Sequence, residues 1–388
     1  MVLHEGERAM QIGEREWSVV QAMDGSRDVE GIALASRVAT PHVRAFVEAL
    51  EGLGLLGEDA EDAPPPAFAA DRPVRALPGY RFTCDGRGAC CATFSTVLFT
   101  PLEAARARAA APEVEDGGHD AARVFTPAEG LDRTLQAVAM RDGACVYLGD
   151  DGCRIHAAAG AEAKPFGCRT FPMRFVDTGA EIRVAPRPEC ACVFAPGADP
   201  ITDATRGGEL PRALHVPTLG VVRMGPDEVA PGEFIAWCDA RRPSADAAAW
   251  CAGTADAVAR EGRAAEDREG APARLHAIAA GVGARAERLA SVLADHRGDD
   301  DPLRRRVGWL LDAARRVGQG QPRPEDEALY LRATLFGGWL GDAPSVEDGL
   351  RDLGAHILLA RAFPPGALHP LAVVESLARG HGLASYSS

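Results

Sequence analysis

Eight of the ten cysteines of this 388-residue chain lie between Cys84 and Cys192. They are Cys84, Cys90, Cys91, Cys145, Cys153, Cys168, Cys190 and Cys192. Thiolates select zinc, copper(I) or iron–sulfur clusters and disfavour magnesium or calcium. A reducing cytoplasm disfavours a disulfide framework, so we interpret the stretch as a thiolate metal site.

The spacing of these cysteines leaves the metal open. The first six include no Cys-x2-4-Cys pairs of the kind that structural zinc sites use, and the ferredoxin spacings are missing as well. Cys190 and Cys192 fit equally well as ligands or as small buried residues. Cys238 and Cys251 lie on apolar helical stretches, and we expect both to be buried in a hydrophobic core.

Other side chains near the cysteines are candidates for cofactor binding. Arg154 and Arg169 each follow a candidate ligand directly, where they would neutralise a thiolate-bound centre, bind a carboxylate or lie solvated at the surface. Tyr147 is expected to pack over the metal centre. His156 is open between a metal ligand, a proton-transfer group and a polar rim residue. The arginine run 304–306 is interpreted as a solvated helix face.

Four segments must position these residues, and together they predict an α+β fold. Residues 1–58 are expected to form a small winged-helix-like domain, with a helical pattern over 12–23, a helix over Val29–Ser36 and a helix from Thr40. Residues 59–77 are a linker rich in proline, alanine and aspartate. Residues 78–200 form an irregular, metal-stapled cysteine domain. Residues 201–388 form a mainly helical domain.

Short strands and long helices are predicted within the last two segments. Strand-like patterns cover 94–99, 182–184 and the valine pair 221–222. Periodic apolar residues predict helices over 247–260, 273–296, 303–317, 325–340, 346–363 and 368–379.

A family resemblance is visible in the order of the cysteine motifs. The chain reads Phe82-Thr-Cys84, Gly88-Ala-Cys90-Cys91, Cys145-Val-Tyr-Leu148, Cys153-Arg-Ile-His156 and Cys168-Arg-Thr-Phe-Pro172. This order resembles the zinc- or iron-chelating cysteine-cluster proteins of the YkgJ type, which include the flagellin lysine N-methylases. The Gly160-x-Glu162-x-x-Pro165 spacer is closest to the methylase branch. The first domain is similar, more loosely, to PqqD-type winged helices, which bind a leader or substrate peptide at a strand edge.

The resemblance implies a [4Fe–4S] cluster, with zinc as the alternative, and S-adenosylmethionine as methyl donor. It suggests an enzyme like the lysine N-methyltransferases, acting on a protein or peptide recruited by residues 1–58. One departure is Arg87, which stands where the family usually has a further cysteine. Two alternatives are a non-enzymatic metal-stabilised binding module and a maturation enzyme for a ribosomally made peptide. A catalytic base and the substrate cannot be named from the sequence.

Charge and hydropathy limit the kinds of partner that we expect for this protein. The net charge is −14, and residues 1–60 carry many more acids than arginines, so duplex nucleic acid is not an expected partner. No stretch is apolar enough to cross a membrane, and the charged N-terminal residues do not form a secretory signal. We therefore expect a cytoplasmic protein without membrane or nucleic-acid partners.

Overall fold

The computed structural model of the chain divides into two compact units, Met1–Phe68 and Ala69–Ser388. It describes residues 2–5, 8–11, 18–20, 22–23, 29–36, 38–52, 72–85, 88, 91, 97–116, 124–127, 135–141, 144–160, 163–195, 197, 199–200, 219–296, 298, 301–364 and 368–380. The described residues form both helices and short strands in small sheets, so the predicted α+β class is confirmed at that level.

The first unit combines a hairpin with helices. Strands β1 (Val2–Glu5) and β2 (Arg8–Gln11) pair antiparallel, and helices α1 (Val29–Ser36) and α2 (Thr40–Gly52) follow. Both helices begin where their sequence predicts. Residues 18–20 and 22 are also helical, within the first predicted helical pattern. The winged-helix arrangement itself remains a prediction.

The strands of the second unit form small sheets. In chain order they are β3 (Val74–Ala76), β4 (Arg81–Phe82), β5 (Leu98–Phe99), β6 (Phe125–Pro127), β7 (Gln136–Val138), β8 (Met140–Arg141), β9 (Ala144–Cys145), β10 (Leu148–Gly149), β11 (Gly152–Cys153), β12 (Met173–Asp177), β13 (Ile182–Pro186), β14 (Asp199–Pro200), β15 (Val222–Met224) and β16 (Asp227–Val229). The two three-stranded sheets have the orders β12-β13-β3 and β5-β7-β6. The other strands pair in twos, as β4-β14, β8-β9, β10-β11 and β15-β16.

The helices of the second unit are concentrated toward its C-terminal end. They are α3 (Pro101–Ala110), α4 (Glu113–Asp116), α5 (Arg154–Ala159), α6 (Phe166–Thr170), α7 (Pro231–Ala240), α8 (Ala247–Glu261), α9 (Ala273–His296), α10 (Pro302–Arg315), α11 (Pro324–Phe336), α12 (Val346–Arg361) and α13 (Pro370–Gly380). N-cap side chains accept backbone hydrogen bonds at the first turn of several of these helices. At α10, Asp301 accepts hydrogen bonds from the backbone N–H groups of Leu303 and Arg304, and Pro302 occupies the first helical position.

The largest hydrophobic core lies among the C-terminal helices. Trp250, Cys251 and Leu350 are buried there, where α8 packs against α12. Cys238 belongs to the same core, so the prediction that Cys238 and Cys251 are buried is confirmed. Burial raises the pKa of both thiols, which keeps them in the neutral form.

The predicted linker and the boundary near residue 200 need correction. Val74–Ala76 lies within the predicted linker 59–77, but it forms strand β3 and pairs in parallel with β13, with Ala76 opposite Val184. The cysteine segment and the helices were predicted as separate domains, yet they share one compact unit. One reason is Arg183, which is almost fully buried and donates to the carboxylate of Asp239 on α7 at 2.6 and 2.8 Å.

Candidate metal centre

Seven of the eight predicted cysteine ligands line a single cavity of about 650 Å³ in the second unit. They are Cys84, Cys91, Cys145, Cys153, Cys168, Cys190 and Cys192. The eighth, Cys90, lies outside the described residues. Cysteines from a segment of more than a hundred residues therefore converge on one space, which is what a shared metal centre requires. The volume falls within the range of about 300–1,000 Å³ that is typical of small-molecule pockets.

Strand ends and short helices present these thiols. Cys145 and Cys153 are the last residues of β9 and β11. Cys168 lies in the middle of α6, whereas Cys190 precedes a one-turn 3-10 helix that contains Cys192. At Cys91, the backbone N–H donates to the carbonyl of Gly88 in a tight turn. Termini of short elements are positions where the backbone changes direction, so side chains from several of them can point into one space.

The loop that carries Cys84 is fixed against the turn that carries Cys192. Strand β4, just before Cys84, pairs antiparallel with β14. The Tyr80 hydroxyl donates to the carbonyl of Val193 at 3.0 Å. Gly197 allows the close approach, because a Cβ atom there would overlap the backbone of Arg81 and Phe82. Three independent contacts thus hold the two cysteine-bearing segments together.

Cys84, Asp85 and Cys192 form the tightest group of potential ligands. One donor atom from each lies within 4.8 Å of the donor atoms of the other two. Burial raises the pKa of the Cys192 thiol; a backbone hydrogen bond with Asp85 lowers it, and the nearby charges of Asp85 and Cys84 raise it. A cation bound between these three groups would relieve their mutual repulsion.

The cavity also has a cationic lining that the sequence did not reveal. Lys164, the only lysine in the chain, lines it together with Arg187, Arg306 and Arg379. The interpretation of 304–306 as a solvated face is wrong for Arg306, which is 4% exposed. Arg306 follows the buried Leu303 by three residues, so it lies on the inward stripe of α10.

Glu189 supplies a buried negative charge in the same wall. Its Oε1 accepts from the Nη2 atom of Arg187 at 2.7 Å. Its Oε2 is buried and has no hydrogen-bond partner among the described residues. A buried carboxylate oxygen without a partner is costly, so this position favours a further group supplied from outside the described chain.

Arg379 is held in the wall by a buried network. Its Nε donates to Glu375 Oε2 at 2.7 Å, and its guanidinium lies 4.0 Å from the centre of the Trp339 ring. Behind it, His356 Nδ1 lies 2.6 Å from Glu375 Oε1, and the Tyr330 hydroxyl donates to the same oxygen. The hydrogen bond to Glu375 and the contact with the Trp339 ring together restrict the orientation of Arg379, so its charge is presented at a defined position in the cavity wall.

The predicted cofactor-binding residues divide into two groups. Tyr147 is 1% exposed, lines the cavity and packs 6.0 Å from Phe125 between ring centres. Arg154 is exposed on α5 and Arg169 is half-buried on α6, and neither is among the residues that line the cavity. His156 is exposed on α5 and is likewise outside the lining. The cations that face the cavity are therefore different from those the motifs suggested.

The chain matches no protein-family model, no curated protein and no solved structure. The site is thus described by its own chemistry. Several thiols, one close carboxylate and several cationic side chains in the lining fit a thiolate-bound metal beside a pocket for an anionic ligand. In the described part of the chain, no helix combines the length and the apolar character needed to cross a membrane.

Proposed function

We propose that this chain is an iron–sulfur protein of the cysteine-cluster type that transfers a methyl group from S-adenosylmethionine to a lysine side chain of a protein or peptide. The observation that carries the proposal is the convergence of seven cysteines on one cavity of ligand size. A metal that served only as a structural staple would need four of these thiols and no adjoining pocket. The resemblance of the cysteine motifs to the flagellin lysine N-methylases supports the same activity.

The thiols would hold the metal group, and the remaining lining would hold the methyl donor. When bound, a [4Fe–4S] cluster supplies a redox-active centre and ties the irregular segment together. Arg379, fixed by Glu375, offers donors for the carboxylate of the methyl donor. Glu189 places a negative charge where a sulfonium or an amine can approach.

The transfer itself needs orientation and exclusion of water. The neutral lysine amine attacks the methyl carbon, the carbon–sulfur bond breaks with its electron pair on sulfur, and the new ammonium group loses a proton. Neutral S-adenosylhomocysteine leaves. Apolar residues of the lining, including Phe171, Leu368 and Val373, would exclude water around the reacting atoms.

We further propose that the first unit recruits the substrate peptide. Its hairpin has two strands among the described residues, so an extended peptide can add to an outer edge. Cross-linking from β1 or β2 to a bound lysine-containing peptide would test this role. Cross-links confined to the second unit would contradict it.

The first experiment is the metal and sulfide content of protein purified without oxygen. We expect about four irons per chain, acid-labile sulfide and a broad visible absorption. Cys168→Ser should lose iron because it removes a thiol from the cavity wall, whereas the core variant Cys251→Ser should retain it. A colourless wild-type protein with one or two zinc ions would contradict the iron–sulfur proposal and favour a zinc-stabilised binding module.

A further inference from the structure

The cavity holds more thiols than one cubane cluster uses. Such a cluster takes four cysteine ligands, and seven of the described cysteines line the cavity. Three donor atoms stand apart from the rest by their closeness, those of Cys84, Asp85 and Cys192. Within the described parts of the chain, no other group of three cysteine, histidine or acidic residues is this compact.

We propose that Cys84, Asp85 and Cys192 form a separate mononuclear zinc site with an open fourth position. The cysteines of the rest of the cavity would then bind the iron–sulfur cluster. This inference rests on the proposed function, because it divides the same lining between two metal groups. It gives Asp85, which no cysteine motif includes, a role as an oxygen ligand.

The distances favour one ion over a cluster at this position. Zinc–sulfur and zinc–oxygen bonds are about 2.3 and 2.1 Å, so ligands of one tetrahedral zinc ion lie roughly 3.5–4 Å apart. The three donor atoms here lie within 4.8 Å of one another. Small side-chain rotations are enough to close that difference.

The donor types match zinc with a free position. Zinc accepts thiolate and carboxylate ligands together, and its sites with three protein ligands leave the fourth position to water or substrate. Cys84 and Asp85 are exposed, and Cys192 is partly buried. All three line the cavity, so a donor atom of a bound ligand can reach the ion.

The backbone already holds the three ligands in place. Strand pairing between β4 and β14 and the hydrogen bond from Tyr80 to the Val193 carbonyl fix the two segments that carry them. Val193 directly follows Cys192, β14 begins seven residues after it, and Tyr80 and β4 lie within the five residues before Asp85. A site that the fold assembles in this way loses little conformational entropy when the ion binds.

The test is elemental analysis of the full-length protein, purified without oxygen from cells supplied with both metals. We expect about one zinc in addition to about four irons per chain. Asp85→Asn and Cys192→Ser should lose zinc on dialysis against a chelator and keep their iron. Cys168→Ser should show the reverse pattern. Asp151→Asn, an exposed aspartate in a turn outside the cavity, should keep both metals.

The outcomes separate the two proposals. Iron without zinc in the wild type, or full zinc retention in Asp85→Asn, would overturn the zinc site and leave the iron–sulfur proposal standing. Zinc without iron in the wild type would overturn the iron–sulfur proposal alone. Loss of iron together with zinc in Asp85→Asn, with an unchanged circular dichroism spectrum, would show that Asp85 belongs to the cluster and refute a separate ion.

Discussion

Replacing Glu375 by glutamine is the sharpest stability test that the structure offers. Glu375 is fully buried, with 0% exposure. Burial raises its pKa, but Arg379 and His356 outweigh that effect and hold the pKa well below the usual range. The carboxylate is therefore charged in the folded protein. Glutamine keeps the shape of the side chain and removes the charge.

The expected cost follows from the contacts that the charge supports. Glu375 accepts from Arg379 at 2.7 Å and contacts His356 at 2.6 Å, with a third bond from Tyr330. A glutamine has only one side-chain oxygen. Its NH2 group would take the place of the other carboxylate oxygen, which receives a hydrogen bond in the wild type, and would face a hydrogen-bond donor instead. Removing one partner from a buried ion pair costs about 3–5 kcal/mol. We expect Glu375→Gln to lower the free energy of unfolding by that amount.

The same substitution at an exposed ion pair is the matched control, because it removes a charge without the effect of burial. Glu233 pairs with Arg263 at 3.4 Å, with both side chains more than half exposed. Exposed pairs contribute about 0–1 kcal/mol, so Glu233→Gln should change the unfolding free energy by less than about 1 kcal/mol. Denaturant unfolding of the full-length protein at neutral pH, followed by circular dichroism, measures both variants under identical conditions.

The stability contribution of Glu375 should depend on pH in a direction that its lowered pKa determines. The pKa of Glu375 in the folded protein lies below the unfolded value of about 4.3. The charged carboxylate therefore makes its full contribution to the free energy of unfolding at any pH above about 4.3. It is lost as the pH falls through the folded pKa. The stability gap between the wild type and Glu375→Gln should therefore be constant near neutrality and shrink below about pH 4. A gap under about 1 kcal/mol at neutral pH would refute a charged Glu375.

Two further predictions concern the cavity. Gly197→Ala should destabilise the second unit by about 1–3 kcal/mol, because its Cβ would overlap the backbone of β4, and it should weaken zinc retention. Gly220→Ala, where a Cβ meets nothing within 4 Å, is the control, and equal unfolding midpoints for the two variants would contradict this reasoning. Lys164 is the only lysine and lines the cavity, so S-adenosylhomocysteine should slow its acetylation severalfold, as measured by peptide mass spectrometry. The N-terminal amine serves as the internal reference, and unchanged Lys164 labelling would place the ligand elsewhere.

Sequence patterns predicted the helices well where periodicity and end signals agree. The predicted helix over 273–296 has the same bounds in the structure, and α1 matches its predicted range. Helix α3 was missed although Thr100 and Glu103 form a capping box at its start. Its apolar residues are mostly alanines, so the hydrophobic contrast between its faces is weak.

The candidate site could be predicted only in composition. Cysteine content identified the residues that line the cavity, but the meeting of Cys84 with Cys192 depends on strand pairing between β4 and β14, which joins segments more than a hundred residues apart. No local signal encodes that pairing. Arg306 is different, because its position on the apolar stripe of α10 could have distinguished it from its neighbours Arg304 and Arg305.

The proposed metal binding should be coupled to the packing of the C-terminal helices, because both involve residues of the same cavity wall. The 3-10 turn that carries Cys192 also places Phe194 against His369, with ring centres 3.9 Å apart. His369 immediately precedes α13, and that helix presents Arg379 to the cavity. A ligand bound at the cysteines therefore restrains the start of α13, while the Glu375 network restrains its end. The cavity is held between those two restraints, so its cationic wall depends on the cysteine segment for its position.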